Sequence, residues 1–287
     1  MSIASPPATT KDAIERGYNN RAAVPDHQRW LDEWVARSGH AKETLHPEID
    51  VAYGAGANET LDLYLPAQSA QGTLLYIHGG WWRSLDKSDY AFVAPAFVDA
   101  GFAVALVNYT LCPHDTIANA VDQCRRALLW LAREGPARGA PAPIVVGGHS
   151  AGGHLTAMMF ATDWRARGLA GVPFVGGASL SGVHELAPLV HFSHNVDFRL
   201  DDAEARRMSP AAAAPTTDAP LLLAVGADET SEFVRQSDSL WDAWPRNRPR
   251  GMTAPMHIAG RHHYSVVLDY ADAQSALTRA TLALFTR

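Results

Sequence analysis

The chain is short of the features that mark secreted, membrane-spanning and nucleic-acid-binding proteins. Cysteine is scarce, with only 2 among 287 residues, which excludes a disulfide-stapled scaffold. Cys124 falls on one apolar helical face with Ile117, Val121, Leu128 and Leu131, so it and Cys112 are expected as packed thiols. No apolar stretch approaches the ~20 residues of a membrane span. The opening Met1-Ser2-Ile3-Ala4-Ser5-Pro6-Pro7 has no basic segment leading into an apolar core. Basic residues are outnumbered, 24 Lys and Arg against 30 Asp and Glu, for a formal net charge of -6. Such a balance lacks the basic face that nucleic acid or an anionic membrane requires. These absences set the expectation of an unexported, cytoplasmic protein that binds neither nucleic acid nor membrane. Homo-oligomer formation stays open.

What is present is apolar residue, 47 % of the chain and spread along its length. That is enough for one core close to the upper size limit of a single domain, so residues 1–287 are read as one unit. Residues 2–10 read as a frayed tail, and 12–38 as a helical N-terminal arm (1–40 in all) carrying Tyr18, Trp30 and Trp34. Short β-branched or apolar runs follow at 49–51, 60–64, 74–77, 103–108, 144–146, 175–180, 221–225 and 256–258, with helical stretches between most of them. The first two are expected as an antiparallel edge. The later connections are long enough for right-handed crossovers, which predicts a mostly parallel sheet flanked by helices, with its site outside the carboxyl ends of the strands. The irregular stretch 183–210 reads as a small cap.

Within this pattern, Gly147-Gly148-His149-Ser150-Ala151-Gly152-Gly153 follows the apolar run at 144–146 and precedes a helix starting by Leu155. Ser150 therefore sits at a strand-to-helix turn, where glycines at 148 and 152 leave room for a sharp bend that exposes the hydroxyl. Upstream, the run at 74–77 delivers the chain into His78-Gly79-Gly80-Trp81-Trp82, a loop suited to aim backbone N–H groups at a developing oxyanion. Gly80, Trp81 and Ala151 are the candidate donors. Downstream, the runs at 221–225 and 256–258 end in Gly226-Ala227-Asp228-Glu229 and Gly260-Arg261-His262-His263. Acid and base thus follow the serine in the order this architecture requires. Spacing leaves four combinations open, since either Asp228 or Glu229 could orient and either His262 or His263 could act as base.

These segments resemble the α/β-hydrolase type of kynurenine formamidase (arylformamidase) and its esterase relatives. His78-Gly79-Gly80-Trp81-Trp82 is similar to that family's H-G-G-x-W loop, and 148–155 to its G-H-S-A-G-x-H-L elbow; Asn108-Tyr109-Thr110-Leu111-Cys112-Pro113 is similar to its strand-to-loop segment. Val225-Gly226, Glu229, Glu232-Phe233 and Arg235-Gln236-Ser237 resemble V-G-x-x-[DE]-S-x-E-F-x-R-Q-S, with Thr230 where Ser is usual. The resemblance implies an α/β-hydrolase fold, puts the acid on Glu229 and, through G-x-[DN]-H-F, puts the base on His263; His262 replaces the usual Asp or Asn. It implies a serine hydrolase with a Ser150-His263-Glu229 triad, an acyl-enzyme and no cofactor. The substrate would be a small ester or an aryl formamide such as N-formylkynurenine. A broad short-chain carboxylesterase and a non-catalytic ligand-binding homologue are the alternatives.

Around the site, Trp82, His191, Phe192 and Tyr264 are candidates for a substrate pocket, with Trp81, His194 and Phe198 beside them; packing under a loop is the competing role. His149 and His154 are five apart, which is not the spacing of a zinc-binding helical pair, and no metal site is expected. His78 is read as a brace for its loop and Arg235 as part of a surface ion pair.

Overall fold

Alternation along the central strands sets the architecture. In β3 (Thr73–Ile77) and β4 (Ala103–Val107), Leu75, Ile77, Ala105 and Val107 enter one apolar cluster, while Leu74, Tyr76, Val104 and Leu106 enter another on the opposite face. A strand with apolar residues on both faces has to be covered on both sides, and these two are buried throughout. The computed structural model describes residues 7–286. In it, β1 (Glu48–Ala52), β2 (Thr60–Tyr64), β3, β4, β5 (Ile144–His149), β6 (Gly176–Leu180), β7 (Leu221–Gly226) and β8 (Met256–Ile258) form one sheet of order β1-β2-β4-β3-β5-β6-β7-β8. The β1–β2 and β2–β4 pairings are antiparallel and every other one is parallel, the pattern expected of an α/β-hydrolase.

Helices complete the layers. The arm comprises α1 (Lys11–Tyr18), α2 (Asn20–Ala23) and α3 (His27–Leu45); α4 (Ala94–Asp99), α5 (Ile117–Glu134) and α6 (Ala151–Phe160) follow. The segment over the site holds a short 3-10 turn and then α7 (Asn195–Phe198) and α8 (Asp202–Arg207); α9 (Ser231–Ala243) and α10 (Ala276–Leu282) end the chain. Helix α5 begins where the Thr116 hydroxyl accepts from the Asn119 N–H, and it buries Ile117, Val121, Cys124, Leu128 and Leu131. Each such leucine contributes about 1.5–3 kcal/mol by leaving water. Both cysteines are free and buried.

Three expectations shift. The arm is broken rather than continuous: Asn19 ends α1 and caps α2, and Pro25, which lacks an N–H, separates α2 from α3. Helix α3 then passes Gly39, where a glycine suggests a stop, and ends at a left-handed His46 before Pro47. Strand β5 likewise continues through Gly147 and Gly148 to His149. The tail from residue 2 to 10 lies partly outside the described residues, and its described end is anchored, the Ala8 N–H donating to Glu232 Oε1 at 3.0 Å.

The core also encloses four imidazoles, His78, His149, His154 and His184, each at most 1 % exposed. Burial lowers the pKa of His78 and His154 to about 4 and of His184 to about 3, and drives that of His149 well below its usual value. The unfolded chain therefore takes up protons that the folded one refuses. Stability is full above pH ~6.5 and falls as the pH drops from there toward the folded-state values. At pH 5 each imidazole is expected to remove about 2 kcal/mol relative to pH 7.5. Urea midpoints measured across this range should fall steadily below pH ~6.5; a flat profile down to pH 5 would show that these rings are not held neutral in the core.

Candidate active site

Ser150 occupies the turn between β5 and α6 with φ 57° and ψ -117°, a conformation that strains any residue bearing a Cβ. Close packing imposes it. A Cβ on Gly152 would overlap the Ile77 carbonyl, and one on Gly148 would overlap the Gly152 backbone, so the helix descends onto the sheet only with glycine at both positions. The Ser150 N–H is tied to the Leu180 carbonyl at 2.8 Å, which fixes the turn to β6.

From the loops after β7 and β8 come an acid and a base. His263 Nε2 lies 3.1 Å from Ser150 Oγ, and its Nδ1 lies 2.6 Å from Glu229 Oε2. The Glu229 side chain is fully buried, and its other oxygen accepts from the Ser181 hydroxyl at 2.5 Å and the Gly226 N–H at 2.9 Å. A carboxylate can only accept, so Nδ1 of the neutral ring carries the proton and Nε2 presents its lone pair to the serine. The imidazole is wedged between the rings of Phe233 and His149, with centroids 4.5 and 4.7 Å away. Of the four acid and base pairings open in the sequence, this is the one that meets Ser150. Asp228 is exposed, while His262 Nδ1 accepts from the N–H groups of Tyr264 and Ser265 and its ring stands edge-on to Trp30.

The loop after β3 turns tightly, with Gly80 at φ 101° and Trp81 at φ 55°. The Gly80 carbonyl accepts from the N–H groups of Arg83 and Ser84, while the N–H groups of Gly80 and Trp81 have no partner among the described residues. Ala151 opens α6, where a helix N–H has no intrahelical acceptor and the dipole favours negative charge. His78 braces this loop through Nδ1 to the Gly79 carbonyl at 2.8 Å and by stacking on Tyr109.

The pocket differs from the one expected. Tyr264 lines the cleft that holds His263, together with Gly80, Trp81 and His194. Trp82 does not: its ring is fully buried, perpendicular to His154 and Phe198. Phe192 is also buried, packed on Trp81 and Tyr18, and supports the pocket wall from behind. His191 is exposed and lines a separate groove with Pro7, Ile14 and Arg206. A one-residue step in an irregular segment turns a side chain from wall to solvent, and no periodicity was there to fix the direction. His149 and His154 point to different partners, the Tyr90 hydroxyl and the Met208 carbonyl.

Arg235 requires a larger correction. It is buried, not at the surface, and it pairs with Glu185 at 2.6 Å and Glu232 at 3.0 Å. Glu232 also accepts from the Tyr18 hydroxyl at 2.8 Å, Gln236 Nε2 donates to the same hydroxyl, and Thr230 donates to the Gly17 carbonyl. This network clamps α1 to the start of α9, immediately after Glu229. It brings the arm into the site: Asn19, Asn20, Arg21 and Trp34 line the cleft. Sequence reading gave the arm no such role; its signal is the Trp30 and Trp34 pair at helical spacing, of which Trp34 is buried and donates Nε1 to the Tyr264 carbonyl at 3.0 Å. Ser181 was also missed, since no motif marks it.

A family model described as BD-FAE matches residues 61–171. Kynurenine formamidases of Salmo salar and Danio rerio are 27 % and 28 % identical to this chain, each alignment covering 96 % of both proteins. A solved structure from Silicibacter sp. tm1040, provisionally described as a thioesterase, is 29 % identical with a TM-score of 0.83, covering 93 % of this chain and 98 % of that one. Esterase B of Lactobacillus rhamnosis shares the fold, with a TM-score of 0.68 at 20 % identity. No helix among the described residues is long and apolar enough to cross a membrane. With its eight-stranded, mostly parallel sheet, the chain is a hydrolase of the α/β-hydrolase type, similar over nearly its whole length to the kynurenine formamidases.

Proposed function

We propose that this protein is a serine hydrolase that cleaves a small carboxylic ester or an aryl formamide, such as N-formylkynurenine, through Ser150, His263 and Glu229. The observation that carries this reading is the unbroken relay from Glu229 Oε2 to His263 to Ser150 Oγ, at 2.6 and 3.1 Å. Ser150 Oγ attacks the carbonyl carbon while His263 Nε2 takes its proton; Glu229 holds the ring's tautomer and offsets the charge of the imidazolium. The carbonyl oxygen becomes negative against the N–H groups of Gly80, Trp81 and Ala151, each worth about 3–4 kcal/mol of transition-state stabilisation. The tetrahedral intermediate collapses as His263 returns the proton to the departing oxygen or nitrogen. Water then repeats the sequence on the acyl- or formyl-enzyme and releases the acid. All substrates envisaged are small molecules, and few, unpaired cysteines favour a cytoplasmic setting.

The formamide reading draws support from relatives named kynurenine formamidase that align over nearly their whole length. An ester substrate needs the same machinery and a less selective pocket. Replacing Ser150 with Ala is expected to cut kcat by several thousand-fold or more, and a loss within about tenfold would refute the mechanism. Glu229→Gln should lose at least about a hundredfold and Asp228→Asn less than about threefold; the reverse order would move the acid to Asp228. Comparing kcat/KM for N-formylkynurenine with that for p-nitrophenyl acetate and butyrate decides the substrate class, since an ester preference of about a hundredfold or more excludes the formamide.

A further inference from the structure

Two arginines line the cleft above His263 in a protein of net charge -6. No aspartate or glutamate stands beside Arg21 and Arg83 in its wall. Arg83 is paired with Asp197 at 2.7 Å. Arg21 has no ion pair among the described residues. It lies beside the Tyr264 phenol, whose pKa burial raises and the Arg21 charge draws back down. His194, which lines the same cleft, is pushed down by burial and then by Arg83, with Glu15 and Asp197 acting upward and Arg21 adding a smaller downward push. The neighbouring Asn20 lines the same cleft, is only 4 % exposed, and leaves its amide Nδ2 without a hydrogen-bond partner. A buried amide donor left unsatisfied costs about as much as a lost hydrogen bond, so a residue of this kind marks a place where an acceptor is missing.

We propose that Asn20 and Arg21 form a carboxylate subsite, which makes an anionic group on the substrate a determinant of specificity. Arg21 supplies the charge at the mouth and Asn20 the donor beneath it, a pairing that takes a carboxylate by charge-assisted hydrogen bonds. The arm thus selects the substrate whose scissile carbonyl the strand-end residues attack. Its position follows from the clamp of α1 on α9 and from the seating of Trp34 on Tyr264, which fix the arm to the loops that bear Glu229 and His263.

This subsite rests on the serine-hydrolase reading for its role but can be measured apart from it. Mono-p-nitrophenyl succinate against p-nitrophenyl butyrate tests a carboxylate on the acyl side, and 3-acetoxybenzoate against phenyl acetate tests one on the leaving group. The wild type is expected to favour the charged ester in at least one pair, and Arg21→Gln to reduce that charged-to-neutral ratio of kcat/KM by about tenfold or more. Benzoate binding, followed by the fluorescence of the cleft tryptophans, is expected to weaken at least about fivefold in both Arg21→Gln and Asn20→Ala, with benzamide binding poorly throughout. A ratio and a benzoate affinity unmoved by Arg21→Gln would overturn the proposal while leaving neutral-ester hydrolysis, and so the hydrolase reading, in place. Conversely, benzoate binding that depends on Arg21 in a protein that turns over neither these esters nor N-formylkynurenine would keep the subsite and refute the hydrolase reading.

Discussion

The backbone at Ser150 is the constraint on which the rest of the structure depends. Its positive φ costs about 1–3 kcal/mol, and it persists because the surroundings leave no alternative. Helix α6 can reach the sheet only over Gly148 and Gly152, the Leu180 carbonyl holds the Ser150 N–H, and the flanking strands β3 and β6 are buried on both faces. One turn accomplishes two things. It lifts the hydroxyl above the carboxyl edge of the sheet, and it starts a helix whose first N–H points at the same place. A larger residue at either glycine would push α6 away from Ile77 and lower the serine with it.

Around that fixed point the sheet order does the assembling. Because β5, β7 and β8 run parallel, the loops at their ends all open on one side, and residues separated by as many as 113 positions meet within hydrogen-bond distance. Glu229 is further restrained by the Ser181 hydroxyl and the Gly226 N–H. The carboxylate is buried, yet every oxygen on it has a donor, which is the condition under which a charge is tolerated away from water. The buried charge of Arg235 is offset by Glu185 and Glu232, and there the paired charges serve to hold the arm in place.

The strands and the strand-end loops were legible in the sequence because their signals are local: β-branched runs, glycine-flanked turns, and acid and base after the serine. Glu229 over Asp228 and His263 over His262 were not separable by spacing and needed either resemblance or three-dimensional contact. The failures share a cause. His191 and Trp82 sit in segments without a period, so nothing in the sequence told which way each side chain would face. Arg235 reads as a surface residue because charged side chains usually are, and its partner Glu185 lies 50 positions away in the chain. The place of Asn20 and Arg21 in the cleft is invisible in the sequence for the same reason: the arm meets the loops that bear Glu229 and His263 only once the sheet between them has formed.

The proposed nucleophile can be identified directly with a fluorophosphonate, which phosphonylates an activated serine and leaves ordinary ones untouched. Intact mass should increase by a single adduct, peptide mapping should place it on Ser150, and labelling should slow by at least about a hundredfold in His263→Ala, which removes the base. Labelling at another serine, or equally fast labelling of Ser150 without His263, would contradict the claim that the strained turn and its relay make Ser150 reactive.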